Sequence, residues 1–342
     1  MEYRTLGRTG VKVSPLCLGT MMFGAWGNPD HEDSIRIIHR ALDAGINFVD
    51  TADVYSAGES EEIVGKALKK LPPSRRDDVV LATKFWGAMG EDPNQGGVSR
   101  RWIMTAVEDS LRRLGTDHID LYQMHRPVPD TDLDETLGAL TDLVQQGKVR
   151  SIGSSSFSAA QIVEAQWVAR DRGRERFRTE QPPYSLLVRG IELDVLPTAE
   201  RHGMGILSYS PLAGGWLSGN WTADSSPTSP ARQRLAARFD MSLPDNQRKL
   251  EAVQRLADVA DDAGLSLIEL AIAFVANHPA VTSAIIGPRT MEQLESQLPA
   301  ADVELDAAVL DRIDEVVPPG VTLNPADTSY GEQVLAPERR RR

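Results

Sequence analysis

The chain has 342 residues, of which 41% are hydrophobic and 25% are charged, and its formal net charge is −12 at pH 7. This length can bury the core of one large domain or of two ordinary ones. The excess of negative charge disfavours nucleic acids and anionic membrane surfaces as partners, because both would repel the protein. The composition therefore predicts a soluble globular protein that binds neither.

Neither a targeting signal nor a disulfide is predicted. Residues 1–4 lack the basic segment that precedes the apolar run of a secretory signal. The longest apolar run, 267–276, contains Glu269 and is too short to span a bilayer. The single cysteine, Cys17, lies between two leucines, as a small core residue does, and has no partner for a disulfide within the chain. These features predict a cytoplasmic protein, since thiols stay reduced there.

The first predicted element is a β-hairpin. Two short strand-like segments, 3–6 and 11–13, are separated by a turn that contains Gly7 and Gly10. From residue 16 onward, short apolar runs alternate with longer segments of helical period. Eight of these runs are predicted to be strands: 16–18, 48–49, 79–82, 119–122, 149–152, 179–181, 205–208 and 283–286.

The segments between the strands carry the residues that begin and end helices. Asp30, Ser99 and Ser158 precede apolar positions of helical period, where their side chains can cap the first turn. Glycines follow the last periodic residue of three segments, as expected at helix C-termini: Gly45, Gly115 and Gly147.

The regular alternation predicts the fold class. Most strand-to-strand intervals are about 25 to 40 residues, the length of one strand–helix–strand unit, and no change of composition marks a linker. We therefore predict one domain over residues 1–342, an α/β fold of the (β/α)8 TIM-barrel type with an N-terminal β-hairpin. A doubly wound open sheet is the alternative.

Two long segments fall outside this alternation. Residues 212–246 are rich in Gly, Ser, Pro and Asp, and their length predicts either a functional loop or a disordered insertion. Residues 326–342 end in a basic run and are predicted to be a flexible, solvated tail.

Polar residues follow three neighbouring strands. Asp50 ends the second predicted strand, Lys84 the third and His125 the fourth, and Tyr55 lies in the loop five residues after Asp50. Because chemistry in parallel barrels gathers at the C-terminal ends of the strands, we expect these four side chains to meet in one pocket.

The four residue types suit the reduction of a carbonyl group. A carbonyl that accepts hydride needs a proton on oxygen, which Tyr55 can supply if a nearby Lys84 ammonium lowers its ordinary pKa of about 10. Asp50 would hold Lys84 charged, and His125 would donate a hydrogen bond to the carbonyl oxygen. Each residue also has a purely structural interpretation. Lys84 and Asp50 can form a structural ion pair, Tyr55 can be an aromatic residue that covers the barrel mouth, and His125 can be a hydrogen-bonded histidine without a catalytic role. A barrel lysine can also serve as the nucleophile of a Schiff-base aldolase.

Together the motifs resemble those of the aldo-keto reductases. Residues 45–52 with Tyr55, residues 82–84 and residues 121–125 are similar to the segments that hold that family's Asp, Tyr, Lys and His tetrad. The resemblance covers nearly the whole chain and is closest to the branch with potassium-channel β-subunit-like proteins. It implies a (β/α)8 barrel that reduces aldehydes or ketones with NADPH, with Tyr55 as general acid. It also implies that the loop 212–246 folds over the cofactor. A regulatory NADP-binding protein with slow turnover is the alternative; His125 favours the enzyme, since the β-subunit type usually has asparagine there.

The resemblance also implies how the cofactor NADPH/NADP+ is held. Ser155 and Ser156 stand where the family often has Ser-Asn at the nicotinamide amide, so Ser156 is a departure, and Tyr209 matches the aromatic that stacks on the ring. Arg289 matches a ligand of the 2′-phosphate, and no GxGxxG motif indicates a Rossmann site. The residues expected to bind the cofactor are Gly19, Thr20, Met21, Asp50, Ser155, Ser156, Gln181, Tyr209, Ser210, Pro211, Leu212, Gly214, Gly287, Arg289, Gln293 and Gln297.

Aromatic residues in loops of the same barrel face predict an apolar pocket for the carbonyl compound. Phe23, Trp26 and Trp86 are the expected substrate-binding residues, and Trp216 lies in a further loop of this face. Some of the four are alternatively core residues. No metal site is predicted, and the sequence is compatible with a homo-oligomer.

Overall fold

The computed structural model describes residues 1–222 and 235–328, and these residues form a closed barrel of eight parallel strands preceded by a two-stranded hairpin. The barrel order is β10-β3-β4-β5-β6-β7-β8-β9. The strands are β1 Arg4–Thr5, β2 Lys12–Val13, β3 Leu16–Gly19, β4 Phe48–Asp50, β5 Val80–Phe85, β6 Ile119–Met124, β7 Val149–Ser155, β8 Thr179–Gln181, β9 Gly205–Tyr209 and β10 Val281–Ile286.

Helices surround the barrel, and their starting residues follow the predicted caps. The Asp30 side chain accepts from the backbone N–H of Asp33, and Ser158 forms a capping box with Gln161. The helices are α1 His31–Asp43, α2 Glu59–Lys69, α3 Pro73–Asp77, α4 Arg100–Leu114, α5 Leu133–Gln145, α6 Ala159–Arg172, α7 Val195–His202, α8 Pro244–Asp262, α9 Leu267–Ala276, α10 Met291–Gln297 and α11 Ala307–Val316.

The closed parallel sheet confirms the predicted (β/α)8 barrel and excludes the doubly wound alternative. All eight predicted strands are present, and the hairpin pairs Arg4 with Val13. Six strands extend past their predicted C-terminal ends, and three of them do so by two residues or more: β5 continues through Lys84 to Phe85, β6 to Met124 and β7 to Ser155. Lys84 therefore lies inside a strand rather than after it.

The hairpin closes the N-terminal end of the barrel. Leu6 and Val13 join the buried cluster of strand residues inside the barrel, which also contains Cys17. The Asn47 side chain ties the hairpin to the start of β4, because its Oδ1 accepts from the Ser14 backbone and its Nδ2 donates to the Lys12 carbonyl. The C-terminal ends of the strands are thus the barrel end that remains for ligands. No helix within the two described ranges has the length and apolar composition to traverse a bilayer.

Two predicted boundaries are corrected. Residues 326–328 do not belong to a solvated tail, because Pro325–Asp327 is a helical turn and the Asp327 carboxylate lies 2.8 Å from Lys249 Nζ. The predicted loop 212–246 contains the helical turns Ala213–Ser218 and Ala236–Arg238, and its last residues already belong to α8. Residues 223–234 of that loop and 329–342 of the predicted tail lie outside the described residues.

Candidate active site

A buried lysine joins the predicted carboxylate and the predicted phenol. Lys84 Nζ donates hydrogen bonds to Asp50 Oδ2, to Tyr55 Oη at 3.2 Å and to the Thr51 carbonyl at 2.9 Å. The Lys84 side chain has no exposed surface. Because β4 and β5 are neighbours in the barrel, residues 34 positions apart in the chain become adjacent here. All three donor sites of the ammonium are used.

Two glutamines complete the shell of the buried ion pair. Gln123 Nε2 and Gln181 Nε2 each donate to Asp50 Oδ1 at 3.0 Å. A buried ion pair is tolerated when such bonds satisfy the remaining oxygen atoms. Sequence reasoning missed Gln123, although its place two residues before His125 on β6 was a usable signal. Gln181, predicted as a cofactor ligand, has its amide nitrogen directed at Asp50.

Burial changes the expected acidity of Tyr55. Burial raises the pKa of Tyr55 above its ordinary value, and the nearby Lys84 ammonium opposes this rise without cancelling it. The predicted lowering toward neutrality is therefore not found, because desolvation is the larger effect. Burial lowers the pKa of Lys84, but Asp50 and Tyr55 outweigh it and leave the value above the ordinary one. At neutral pH the pair is a phenol and an ammonium.

The turn that carries Tyr55 is conformationally strained. Ser56 and Ala57 follow Tyr55 with φ of 49° and 57°, a left-handed conformation that costs roughly 1–2 kcal/mol per non-glycine residue. The Ser56 hydroxyl stabilises the turn by donating to the Phe23 carbonyl and accepting from the Trp26 backbone. Immediately before these two strained residues, the Tyr55 hydroxyl accepts a hydrogen bond from Lys84 Nζ.

His125 lies edge-on to Tyr55. The two ring centroids are 5.7 Å apart with an interplanar angle of 80°. Burial, followed by the charges of Lys84 and Arg126, lowers the pKa of His125 well below its ordinary value, so the imidazole is neutral at physiological pH. Its Nδ1 has no hydrogen-bond partner within residues 1–222 and 235–328. The ring is thus placed to orient a small polar group beside the phenol.

The predicted nicotinamide residues gather at the ends of β7, β8 and β9. Ser155 Oγ donates to the Gln181 carbonyl at 2.9 Å, and Ser156 has a left-handed φ of 59°. Ser156 Oγ accepts a hydrogen bond from Arg126 Nη1 and lies 3.3 Å from Tyr209 Oη. Sequence reasoning did not include Arg126, although its place directly after His125 at a strand end was a signal.

Beneath this cluster lies a buried glutamate that was also not predicted. Glu180 on β8 accepts from Ser154 Oγ at 2.6 Å and from the Phe157 backbone at 3.0 Å. Burial raises the pKa of Glu180 to about 8, although these hydrogen bonds oppose the rise. The side chain thereby holds the end of β7, where Ser155 and Ser156 lie.

The residues predicted after β3 are held close to Asp50. The Thr20 backbone N–H donates to the Asp50 carbonyl at 3.0 Å, and Thr20 Oγ1 lies 2.9 Å from Ser60 Oγ. Gly19 pairs with Asp50 in the parallel register. Met21 is exposed at the surface. The Thr20 hydroxyl is thus engaged within the protein.

The loop after β9 has a left-handed backbone. Ser210 and Ala213 have left-handed φ angles of 59° and 49°, and Gly214 and Gly215 continue this conformation. The Ala213 and Gly215 N–H groups donate to the carbonyls of Ser210 and Leu212 at 2.8 Å, so these two amides are engaged within the loop. Pro211 is buried and Leu212 is half-buried, so these two support the loop from within.

The region after β10 has polar groups that none of the described residues satisfies. The half-buried Arg289 makes no side-chain hydrogen bond or ion pair with any described residue, while its backbone N–H donates to Gln293 Oε1 at 2.8 Å. Gln297 is buried, and its Oε1 accepts no hydrogen bond from the described residues. A Cβ at Gly287 would meet nothing within 4 Å. A free guanidinium, an unpaired amide oxygen and open space fit a phosphorylated dinucleotide.

The four predicted aromatic residues divide into two groups. Trp26 lies 6.1 Å from the Tyr55 ring and Trp86 lies 6.3 Å from the His125 ring, measured between centroids, so both can line the approach to the tetrad. Phe23 and Trp216 have no exposed surface and pack in the core. The prediction that Phe23 contacts substrate is therefore corrected.

An eight-stranded parallel barrel with a buried Lys–Asp pair, a phenol and an imidazole at the C-terminal ends of its strands defines a barrel oxidoreductase. The chain belongs to the aldo/keto reductase family, whose model matches residues 15–318. This membership confirms the resemblance found in the sequence, and it implies a nicotinamide cofactor.

Three relatives illustrate the range of the family around this chain. An uncharacterized oxidoreductase of Bacillus subtilis, YrpG, is 42% identical over 93% of this chain and 96% of its own. A probable voltage-gated potassium channel subunit beta of Arabidopsis thaliana is 38% identical over 93% of this chain and 97% of its own. Versiconal hemiacetal acetate reductase of Aspergillus parasiticus is 33% identical over 92% of this chain and 96% of its own.

Proposed function

We propose that the protein reduces aldehydes or ketones to alcohols with NADPH, and that Tyr55 is the general acid. The observation that carries this proposal is the double engagement of Lys84, whose ammonium donates to both the Asp50 carboxylate and the Tyr55 hydroxyl. This arrangement delivers a proton to an oxygen atom and stabilises the phenolate that remains. Reduction of a carbonyl needs both.

In this proposal the bound NADPH supplies the hydride, and the side chains of the chain manage the proton. Tyr55 is protonated at neutral pH because burial raises its pKa. As the proton leaves, the phenolate forms 3.2 Å from Lys84 Nζ, where Coulomb attraction at an effective dielectric constant of about 20 contributes about 5 kcal/mol. Asp50 keeps the ammonium charged and in place.

His125 and two tryptophans orient the carbonyl compound. The neutral imidazole donates a hydrogen bond to the carbonyl oxygen, which then lies between the imidazole and the phenol. Trp26 and Trp86 flank these two groups and exclude water from the reacting oxygen. A small aldehyde or ketone with an apolar substituent fits this approach.

The predicted cofactor residues are proposed to hold NADPH along the ends of β7 to β10. Arg289 would bind the 2′-phosphate, the loop 210–215 the pyrophosphate and Tyr209 the nicotinamide ring. Among residues 1–222 and 235–328 the Arg289 guanidinium and the Gln297 amide oxygen have no hydrogen-bond partner. This supports the placement, because both groups would gain partners in the cofactor. A preference for NADPH over NADH rests on Arg289 in particular.

The decisive experiment follows NADPH consumption with a panel of aldehydes and ketones, using the wild-type protein and Tyr55→Phe. The variant keeps the ring and loses only the hydroxyl, so we expect a fall in kcat of roughly 10²–10⁴-fold with little change in NADPH affinity. Equal turnover by both proteins would remove Tyr55 from the mechanism. Absence of turnover by the wild type on all compounds would contradict the reductase.

The second candidate is a regulatory NADP-binding protein with slow turnover. The 38% identity to a probable potassium channel subunit beta favours it. Tight cofactor binding combined with turnover near the limit of detection would support this candidate, whereas rapid multiple turnover would support the enzyme. A Schiff-base aldolase is disfavoured, because the Lys84 ammonium is paired with Asp50 and its raised pKa leaves little free amine.

We also propose a cytoplasmic location, with a small carbonyl compound as the principal partner. The single cysteine is buried and unpaired, as suits a reducing compartment. Assembly as a homo-oligomer is compatible with this proposal, and neither nucleic acid nor membrane lipid is proposed as a partner, given the net charge of −12.

A further inference from the structure

A pair of buried carboxylates, Asp53 and Glu61, lies behind the tetrad, between the barrel and its helices. Asp53 precedes Tyr55 by two residues, and Glu61 is on α2; neither has any exposed surface. Glu61 accepts hydrogen bonds from Thr83 Oγ1 at 2.6 Å and from Arg113 Nε at 2.7 Å. The pair therefore faces a single arginine.

Only Glu61 has donors at ordinary hydrogen-bond geometry. In the described part of the chain no donor meets that geometry at either oxygen atom of Asp53, and the backbone N–H groups of Val54 and Trp86 make only weaker contacts with this carboxylate. The charged and titratable groups that act on Asp53 are Glu61 from α2, Arg113 from α4 and Tyr122 from β6, and Asp109 from α4 acts on Tyr122. If the pair holds one proton, it resides on Asp53, because an ionised carboxylate with only weak donors is costly to bury.

The acid–base behaviour of Asp53 agrees with this geometry. Burial and the neighbouring Glu61 raise the pKa of Asp53 to about 7, although the Arg113 charge and the backbone N–H groups of Val54 and Trp86 oppose the rise. Asp53 is therefore neutral below this pH and becomes ionised above it.

The backbone of Asp53 joins the tetrad on both sides. Its N–H donates to the Lys84 carbonyl at 3.1 Å, and Thr83, which donates to Glu61, is the residue before Lys84. The same short turn, residues 51–55, ends at Tyr55. A movement of the Asp53 side chain toward solvent or toward Arg113 would thus shift the phenol relative to the ammonium.

We propose that Asp53 is a positioning residue that holds Tyr55 against Lys84 in its neutral form, and that ionisation of Asp53 releases the turn and slows carbonyl reduction. The proposal rests on the proposed reductase activity. It assigns a task to a buried carboxyl group that the tetrad chemistry does not use. It also predicts a loss of activity with rising pH that does not come from Tyr55.

The test compares the pH profiles of the wild type and Asp53→Asn, whose amide imitates the neutral acid. Wild-type kcat should fall above about pH 7, by up to tenfold per pH unit, while the variant keeps its rate until Tyr55 itself ionises. Superimposable profiles would overturn the proposal. Glu61→Gln supplies an independent check: loss of the neighbouring charge should move the fall to lower pH, and an unmoved fall would also overturn it.

Denaturation with urea tests whether Asp53 is protonated in the folded protein, and it needs no substrate. A raised carboxyl pKa stabilises the fold below the unfolded pKa of about 4 and loses that contribution as pH rises to about 7. Asp53→Asn should therefore have a higher denaturation midpoint than the wild type at about pH 8.5 and a similar one at about pH 4. An equal difference at both pH values would refute the buried proton. If the midpoints differ at about pH 8.5 alone but the wild type reduces no carbonyl compound, the buried proton stands and the proposed reductase activity is refuted.

Discussion

At the scale of single residues, Lys84 organises the site. Its ammonium is fully buried, and its three donor sites bind a carboxylate, a phenol and a carbonyl oxygen. Such a cation is stable only while Asp50 remains its partner, since either charge alone would be buried without compensation. The proposed catalytic chemistry and the local stability therefore depend on the same pair.

Lys84→Met is expected to lose both activity and stability. The kcat for carbonyl reduction should fall at least as far as in Tyr55→Phe, and the unpaired Asp50 should lower the free energy of unfolding by about 3–5 kcal/mol. The measurements are NADPH consumption and urea denaturation. Lys84→Met combined with Asp50→Asn is the control, because removal of both charges should restore stability without restoring turnover. A double variant as unstable as the single one would contradict this pairing.

Residue positions were easier to predict than residue environments. Asp50, Lys84, His125 and Tyr55 could be found because each stands at or near a predicted strand end. The direction of the Tyr55 pKa could not be predicted, because burial opposes Lys84 and burial is not readable from local sequence. The hydrogen bond between Gln123 and Asp50 was missed because these residues are 73 positions apart in the chain and meet only after the barrel closes.

At the scale of elements, the N-terminal hairpin seals the end of the barrel opposite the site. The Arg4 guanidinium donates to the Val281 carbonyl at 3.1 Å, which anchors the hairpin to the start of β10. A Cβ at Gly7, where φ is 54°, would lie 2.7 Å from the Arg178 carbonyl oxygen and 2.8 Å from the Gly205 nitrogen. The turn therefore packs directly on backbone between β8 and β9.

Gly7→Ala is expected to destabilise the protein without impairing the chemistry. The backbone clash and the left-handed φ together should lower the free energy of unfolding by about 2–4 kcal/mol. The folded fraction should keep the wild-type kcat, because the hairpin lies far from the tetrad. Gly10→Ala is the matched control: its φ is 83° but its Cβ would meet nothing within 4 Å, so only about 1 kcal/mol should be lost. Equal losses in the two variants would show that the contact is unimportant.

Elements with local signals were predicted well. Helices begin directly after Asp30, Ser99 and Ser158, because each of these side chains caps the first turn by accepting from the backbone N–H three residues later. The ends of β5 and β7 were placed too early, because hydrogen bonds from neighbouring strands extend them past the apolar run. The length of a strand depends on its neighbours in the assembled sheet, so an apolar run alone does not predict where the strand ends.

At the scale of the whole molecule, the C-terminal segment is packed against the loop proposed to cover the cofactor. Lys249 on α8 is fully buried, lies 2.8 Å from Asp327 and 4.3 Å above the Trp216 ring, and donates to the Arg238 carbonyl. The Asn324 amide also donates to the Ala237 carbonyl at 3.1 Å. Three distant parts of the chain are joined at this point.

Asp327→Asn should loosen this junction. The variant leaves Lys249 with a carbonyl oxygen and an aromatic face, so we expect a loss of about 2–3 kcal/mol in the free energy of unfolding and a several-fold weaker NADPH affinity. Urea denaturation and cofactor titration measure the two effects. Glu32→Gln removes the partner of Lys70 in an exposed ion pair and should leave the free energy of unfolding nearly unchanged. If the two substitutions lowered the free energy of unfolding equally, burial of the Lys249–Asp327 pair would not explain its contribution to stability.

The global architecture was predictable and the C-terminal contact was not. The periodicity of apolar residues predicts eight strand–helix units, and this number of units predicts the barrel. The packing of residues 324–328 depends on Lys249, Trp216 and Arg238, which lie far away in sequence and have no shared local pattern. A polar stretch near the end of a chain therefore resembled a solvated tail.

The proposed proton-transfer residues and the proposed cofactor-binding residues lie in different parts of the chain. The tetrad comes from β4 to β6 and their loops, residues 50–125, whereas most residues proposed to hold NADPH come from β7 to β10, residues 155–297. Recombination between two relatives in the α5 region would therefore combine the tetrad of one parent with the cofactor-binding residues of the other. A descendant of such a cross could acquire a new nucleotide preference while its proton-transfer apparatus passed through unchanged.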